Sequence, residues 1–174
     1  MKSTGEVMGI DHDFGPAFAK AQISAGQVLP TGGKVFISVK NRDKRAIIMV
    51  ANKLADMGFQ IVATRGTAQV LAKNGIHTQP VHKVGHGRPD IVDLIKNGEI
   101  TLVINTPDGK KPKSDEAVIR REAWLHQIPC ITTLPGASAA VSGIESLQKR
   151  GLGVKPIQSY HEETRKRIGP ANVG

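Results

Sequence analysis

The sequence predicts an α/β domain: a mainly parallel sheet of about five strands with helices on both faces. Three observations predict it. Short β-rich apolar runs alternate with helical stretches from Gly33 to about residue 150, the pattern of strand–helix–strand units. Aromatic residues make up only 3% of the 174, so Ile, Val, Leu and Ala must fill the core, as in parallel sheets covered on both faces. Glycine recurs where helical stretches should stop, at Gly58, Gly75 and Gly98, the C′ position that favours a left-handed backbone.

The elements follow in order. Residues 1–32 hold one short helical pattern, Pro16 to Ala21, among glycines and prolines, and are expected to form a connector. Lys34 to Val39 is a buried strand. Asp43 or its neighbours can cap a helix from Lys44 to Met57, with Ile47, Val50, Leu54 and Met57 on one face. Phe59 to Ala63 is the second strand. Thr64-Arg65-Gly66-Thr67 leads into a helix from Ala68 to Asn74. A weak strand is expected near Thr78 to Val81. Pro89 suits the first position of a helix ending at Asn97. Thr101 to Asn105 is the clearest strand, followed by a polar turn rich in Lys, Gly and Pro. Ser114 can cap the next helix, with Asp115 and Glu116 in its first turn, where the helix dipole favours them. Pro129 opens a last strand, Cys130 to Thr133, and Gly136 to Lys149 forms a helix of small residues. Residues 151–174 are polar and expected to fray.

Charge narrows the partners. With 24 basic and 15 acidic residues the net charge is +9, which favours anions. No aromatic residues interleave the basic ones, so a nucleic-acid interface is not expected. The single cysteine, Cys130, allows no internal disulfide and suits a reducing compartment. No apolar run reaches membrane-span length, and a cytoplasmic protein is expected. The six histidines show no metal-ligand spacing. No Gly-x-Gly-x-x-Gly or Walker loop is present.

In open parallel sheets ligands bind beyond the carboxyl ends of the strands. The residues expected there are Lys40, Asn41 and Lys44, then Thr64, Gly66 and Thr67, then Asn105 and Thr106, with Lys83 in the loop between. Gly66 lets the backbone approach an anion, the helix start offers free N–H groups, and the lysines add charge-assisted bonds. Each feature alone has a plainer reading: a threonine cap or a solvated lysine. Their convergence on one sheet edge favours a phosphate site.

Several stretches carry a resemblance: Phe36-Ile37-Ser38-Val39, Ala63-Thr64-Arg65-Gly66-Thr67, Gly87-Arg88-Pro89-Asp90, Ile95 to Glu99, Val103-Ile104-Asn105-Thr106 and Val118 to Arg121. The core from Gly33 to about Gln148 resembles the methylglyoxal-synthase-like domain family. It is most similar to the allosteric domain of the carbamoyl-phosphate synthase large subunit. Ser3 to Gly9 and Ala17 to Gln22 look like the end of that enzyme's preceding ATP-using half, which implies that Met1 falls inside a larger polypeptide.

The resemblance implies a three-layer methylglyoxal-synthase-like fold and a regulatory domain, non-catalytic by itself, for pyrimidine and arginine biosynthesis. It implies nucleoside monophosphate effectors, with UMP inhibiting and IMP activating. Their contacts would fall on Ser38, Lys44, Thr64, Arg65, Gly66, Thr67, Lys83, Asn105 and Thr106, with Thr132 on an ornithine side. It implies no cofactor in this chain, ATP and Mg or Mn in the parent enzyme, a glutaminase small subunit and an oligomer. Arg65 stands where the family has histidine, Pro107 where it has threonine, and Ile131 where it has aspartate. An apolar Ile131 cannot pair with an ammonium group. Arg88 lies in the region of the catalytic Gly-Gly-Asp of methylglyoxal synthase proper and cannot act as a base. Two other readings stay open: a phosphate-eliminating lyase, and an oligomerisation module with a vestigial pocket.

Overall fold

Side-chain alternation divides the sheet into two apolar faces. The computed structural model describes residues 2–3, 5–107 and 114–168. After a small antiparallel ribbon, β1 (Lys2–Ser3) and β2 (Glu6–Val7), comes helix α1 (Phe14–Ser24). The main sheet follows: β3 (Lys34–Ser38), β4 (Gln60–Thr64), β5 (Thr78–Val81), β6 (Ile100–Asn105) and β7 (Cys130–Ile131). Its strands run parallel in the order β5-β4-β3-β6-β7. Between them run α2 (Ile47–Asp56), α3 (Arg65–Lys73), α4 (Ile91–Lys96) and α5 (Ser114–Leu125). Helices α6 (Leu134–Arg150) and α7 (Ile157–Ile168) follow β7.

Successive strand residues point to opposite faces. Val35 and Ile37, Ile61 and Ala63, Leu102 and Ile104 therefore join α2, α3 and α6 in one core cluster. Phe36, Val62 and Val103 join α4 and α5 in a second cluster on the other face. The three layers and the all-parallel five-stranded sheet agree with the expected fold class.

Several boundaries differ from expectation. The helix expected from Lys44 begins at Ile47, behind a 3-10 turn at Asn41–Asp43. Asp43 does not cap it, because its carboxylate pairs with Lys40 at 3.5 Å. The next helix begins at Arg65 instead of Ala68. Pro89 is not the first helical residue: Asp90 is the N-cap of α4, and Pro89 precedes it through a cis bond. The last strand ends at Ile131, because Thr133 leaves the sheet to cap α6, its hydroxyl accepting from Gly136 N at 3.1 Å. Most of the polar turn before α5 and the Ser114 side chain lie outside the described residues.

The segments flanking the α/β core, with α1 on one side and α7 on the other, make tertiary contacts. Gly15 and Ala19 of α1 are buried against α6, and a Cβ on Gly15 would stand 2.6 Å from the Ser142 carbonyl oxygen. Leu29 joins the core. The tail expected to fray contains α7. Lys155 donates to Glu163 at 2.7 Å and stands 4.4 Å from the Tyr160 ring centroid. Glu163 also meets His12, and Lys20 of α1 donates to the Tyr160 hydroxyl at 3.1 Å. Polar residues that look solvated in sequence find partners 140 or more positions away.

Candidate functional site

The strand order reverses at β3: β4 and β5 lie on one side, β6 and β7 on the other. Loops leaving β3 and β6 therefore diverge, and such a switch point opens a crevice at the carboxyl edge. Ser38 and Asn105 are register partners, and Thr64 ends β4 alongside. These three polar residues continue the alternation of Phe36, Val62 and Val103. They consequently share the face covered by α4 and α5.

A cleft of about 310 Å3 opens at this edge, within the size range of small-molecule sites. Its β3 side carries Ser38, Lys40, Asn41 and Lys44. Its β4 side carries Thr64, Gly66 and Thr67, and Lys83 follows β5. Asn105 and Thr106 complete the edge. Eight of the nine expected contact residues thus come together. Arg65 does not: it is exposed and outside the lining. Helical residues are about 100° apart, so turning Gly66 and Thr67 toward the cleft carries Arg65 away from it. Thr132 follows β7, half-buried, and does not line the cleft.

The floor is pre-formed. Lys40 N–H donates to Thr106 Oγ1 at 3.2 Å, and Val39 N–H reaches Thr67 Oγ1 at 3.5 Å. Thr64 does not cap α3 with its side chain. Its hydroxyl lies 3.4 Å from both Ser38 Oγ and Thr67 Oγ1. Lys44 reaches over the start of α3, where its Nζ would be 3.0 Å from a Cβ at Gly66. The loop bearing Lys83 is closed by Asp90, whose carboxylate accepts from Gly85 N, Val92 N and Asp93 N at 2.9–3.2 Å. The Asp90 N–H donates in turn to the Asp93 carboxylate at 3.0 Å, completing a capping box.

Sequence reasoning missed the far wall. Asp115, Glu116 and Ile119 of α5, with Ile91 of α4 and Val84, also line the cleft. The face-sharing of Ser38 with Phe36 was the available signal, since it places the site under whichever helices cover that face. Cys130 is a half-buried free thiol near α5. Burial pushes its thiol up, opposed by the nearby Arg120 charge. Among the described residues no three His, Cys, Asp or Glu side chains are grouped to hold a metal. No helix there is long and apolar enough to cross a membrane.

The chain matches the family model of the MGS-like domain over residues 46–132. It is similar to carbamoyl phosphate synthase large chains. That of Acidobacterium capsulatum is 55% identical over 161 residues, covering 92% of this chain and 15% of that protein. Those of a Nostoc species and of Archaeoglobus fulgidus are each 50% identical, over 92% and 94% of this chain. The chain spans about 15% of the length of these relatives. Among solved structures it is similar to methylglyoxal synthase from Elizabethkingia anophelis, with a TM-score of 0.54 and 16% identity. That likeness covers 73% of this chain and 97% of the other, and it speaks to the fold. The family match extends over half of the 174 residues and the layered fold agrees with it, so the chain belongs to the family of MGS-like domains.

Proposed function

We propose that this chain is the regulatory domain of a carbamoyl-phosphate synthase large chain and binds a nucleoside monophosphate in the cleft at the strand ends. One observation carries the reading: the Lys44 ammonium, the start of α3 and the Thr67 and Thr106 hydroxyls converge on one pocket. Ammonium groups, free amides and hydroxyls in a partly buried site are what a phosphate monoester requires. Ile91, Ile119 and Val84 supply an apolar wall for a base, and Asn105 supplies an amide for its polar edge. In this reading UMP inhibits and IMP activates. The contacts are Ser38, Lys44, Thr64, Gly66, Thr67, Lys83, Asn105 and Thr106.

Regulation follows if the two states of the attached synthase present this cleft differently. A coupling of about 1–3 kcal/mol is ordinary for such a domain, and it requires that the effector favour one state. ATP, its metal ion and the glutaminase subunit belong to the remainder of the proposed cytoplasmic, oligomeric enzyme. The lyase alternative lacks support at the expected position. Arg88 ion-pairs with Asp93 at 3.2 Å, and the carboxylate of neighbouring Asp90 already accepts from three backbone N–H groups.

Calorimetry of the chain with UMP, IMP and inorganic phosphate tests the proposal. At least one nucleotide should bind with micromolar affinity and more tightly than phosphate alone. Silence from all three would refute it. Methylglyoxal release from dihydroxyacetone phosphate would support the lyase instead.

A further inference from the structure

We infer that Lys40 is a further cation for the ligand's phosphoryl group, and that Asp43, which does not line the cleft, is the residue that positions it. The inference rests on the phosphate reading above and adds Lys40 to its contacts.

Lys40 is anchored through both its main chain and its side chain. Its N–H donates to Thr106 Oγ1 at 3.2 Å, and its carbonyl accepts from Asp43 N at 3.0 Å. The main chain is thereby tied to the end of β6 on one side and to the 3-10 turn on the other. The Lys40 ammonium stands 3.5 Å from the Asp43 carboxylate. The two side chains are only 17% and 14% exposed, so neither charge is left to bulk water. A solvated lysine loses rotamer entropy when it grips a ligand. Here most of that loss has occurred on folding, which leaves less to be lost on binding.

The pair meets the cleft from one side. Lys40 lines it and Asp43 does not. An ammonium has three N–H donors and no lone pair, so a bond to Asp43 leaves two for an acceptor in the cleft. Coulomb attraction falls with distance. An anion against Lys40 therefore meets the cation at contact and the carboxylate only behind it. Arg42 Nε lies 3.8 Å from the other Asp43 oxygen, so the trio of Lys40, Arg42 and Asp43 keeps one positive charge in excess. Lys44 follows the same turn, its N–H donating to Asn41 O at 3.3 Å. Lys40 and Lys44 thus flank the turn, and both line the cleft. The other charged groups of the lining are Lys83, Asp115 and Glu116.

The experiment is calorimetric titration of the whole chain with UMP at low and high salt, for wild type, Lys40→Met, Asp43→Asn and the double variant. Lys40→Met should weaken UMP binding about tenfold, the order of one charge-assisted bond. It should also flatten the fall of affinity with added salt. Asp43→Asn removes a negative charge close to the cleft, so a field effect alone would tighten binding. Positioning of Lys40 predicts instead a loss of about threefold to tenfold. In the Lys40→Met background, Asp43→Asn should change affinity no further. A turn that acted through Lys44, or through stability alone, would still show a second loss there. Unchanged affinity in Lys40→Met, tighter binding in Asp43→Asn, or additive losses in the double variant overturns the inference while leaving nucleotide binding intact. Lys40→Met removes no backbone bond, so its result decides the matter even where Asp43→Asn lowers the melting temperature. A wild-type chain that binds neither UMP nor IMP overturns both readings.

Discussion

Lys44 Nζ stands over Gly66 so closely that a methyl group on that glycine would lie 3.0 Å from it. The ammonium thus occupies the space a side chain would take, directly above the first turn of α3. Gly66→Ala should push it aside. Stability should hold or rise by up to about 1 kcal/mol, since alanine is the better helix former, while nucleotide affinity drops several-fold. Lys44→Met should lose roughly 10- to 100-fold, the value of a charge-assisted bond. Calorimetry and urea denaturation of both variants check this, and unaltered affinity in both would remove the site from this edge.

Asp90 ties Gly85 to the start of α4 and so closes the loop that carries Lys83. Asp90→Ala should cost about 0.5–2 kcal/mol as a lost cap. It should also weaken nucleotide binding several-fold by freeing Lys83. A stability loss with no change in affinity would show that Lys83 is not positioned through Asp90.

Gly15 is where α1 meets α6, with the Ser142 carbonyl in the space of a side chain. Gly15→Ala should destabilise by about 1–3 kcal/mol through overpacking. Gly32→Ala, which meets nothing within 4 Å, should stay within about 0.5 kcal/mol. Denaturant midpoints read the difference.

The attachment of α7 should depend on pH. Lys155 and then His12 hold the Glu163 carboxyl below the usual range, and Lys20 does the same for Asp11. A depressed folded value means the contribution is complete above the unfolded values, about 4. It is lost as pH falls through the lower folded ones. Protease cleavage near Tyr160 should therefore rise as the pH drops below about 4, measured with an acid protease. Glu163→Gln should be cleaved readily at neutral pH already.

Local sequence determined much of this. Aliphatic alternation in Val35-Phe36-Ile37 and Leu102-Val103-Ile104 dictates a two-faced buried sheet, and strand ends in such sheets meet at one edge. Lys40, Asn41, Lys44, Thr64, Gly66, Thr67, Lys83, Asn105 and Thr106 could therefore be grouped before any coordinates, and the family resemblance added Ser38. What tertiary structure alone decided lies at longer range. The helical phase that turns Arg65 out of the cleft depends on where α3 starts. The arrival of Asp115 and Glu116 depends on which helix covers the Phe36 face. The docking of α1 and α7 rests on contacts such as Lys20 with Tyr160, 140 residues apart. Local pattern specifies periodicity and strand ends because those depend on neighbouring residues. It is silent on which distant surfaces meet, since that is chosen by the packing of whole layers.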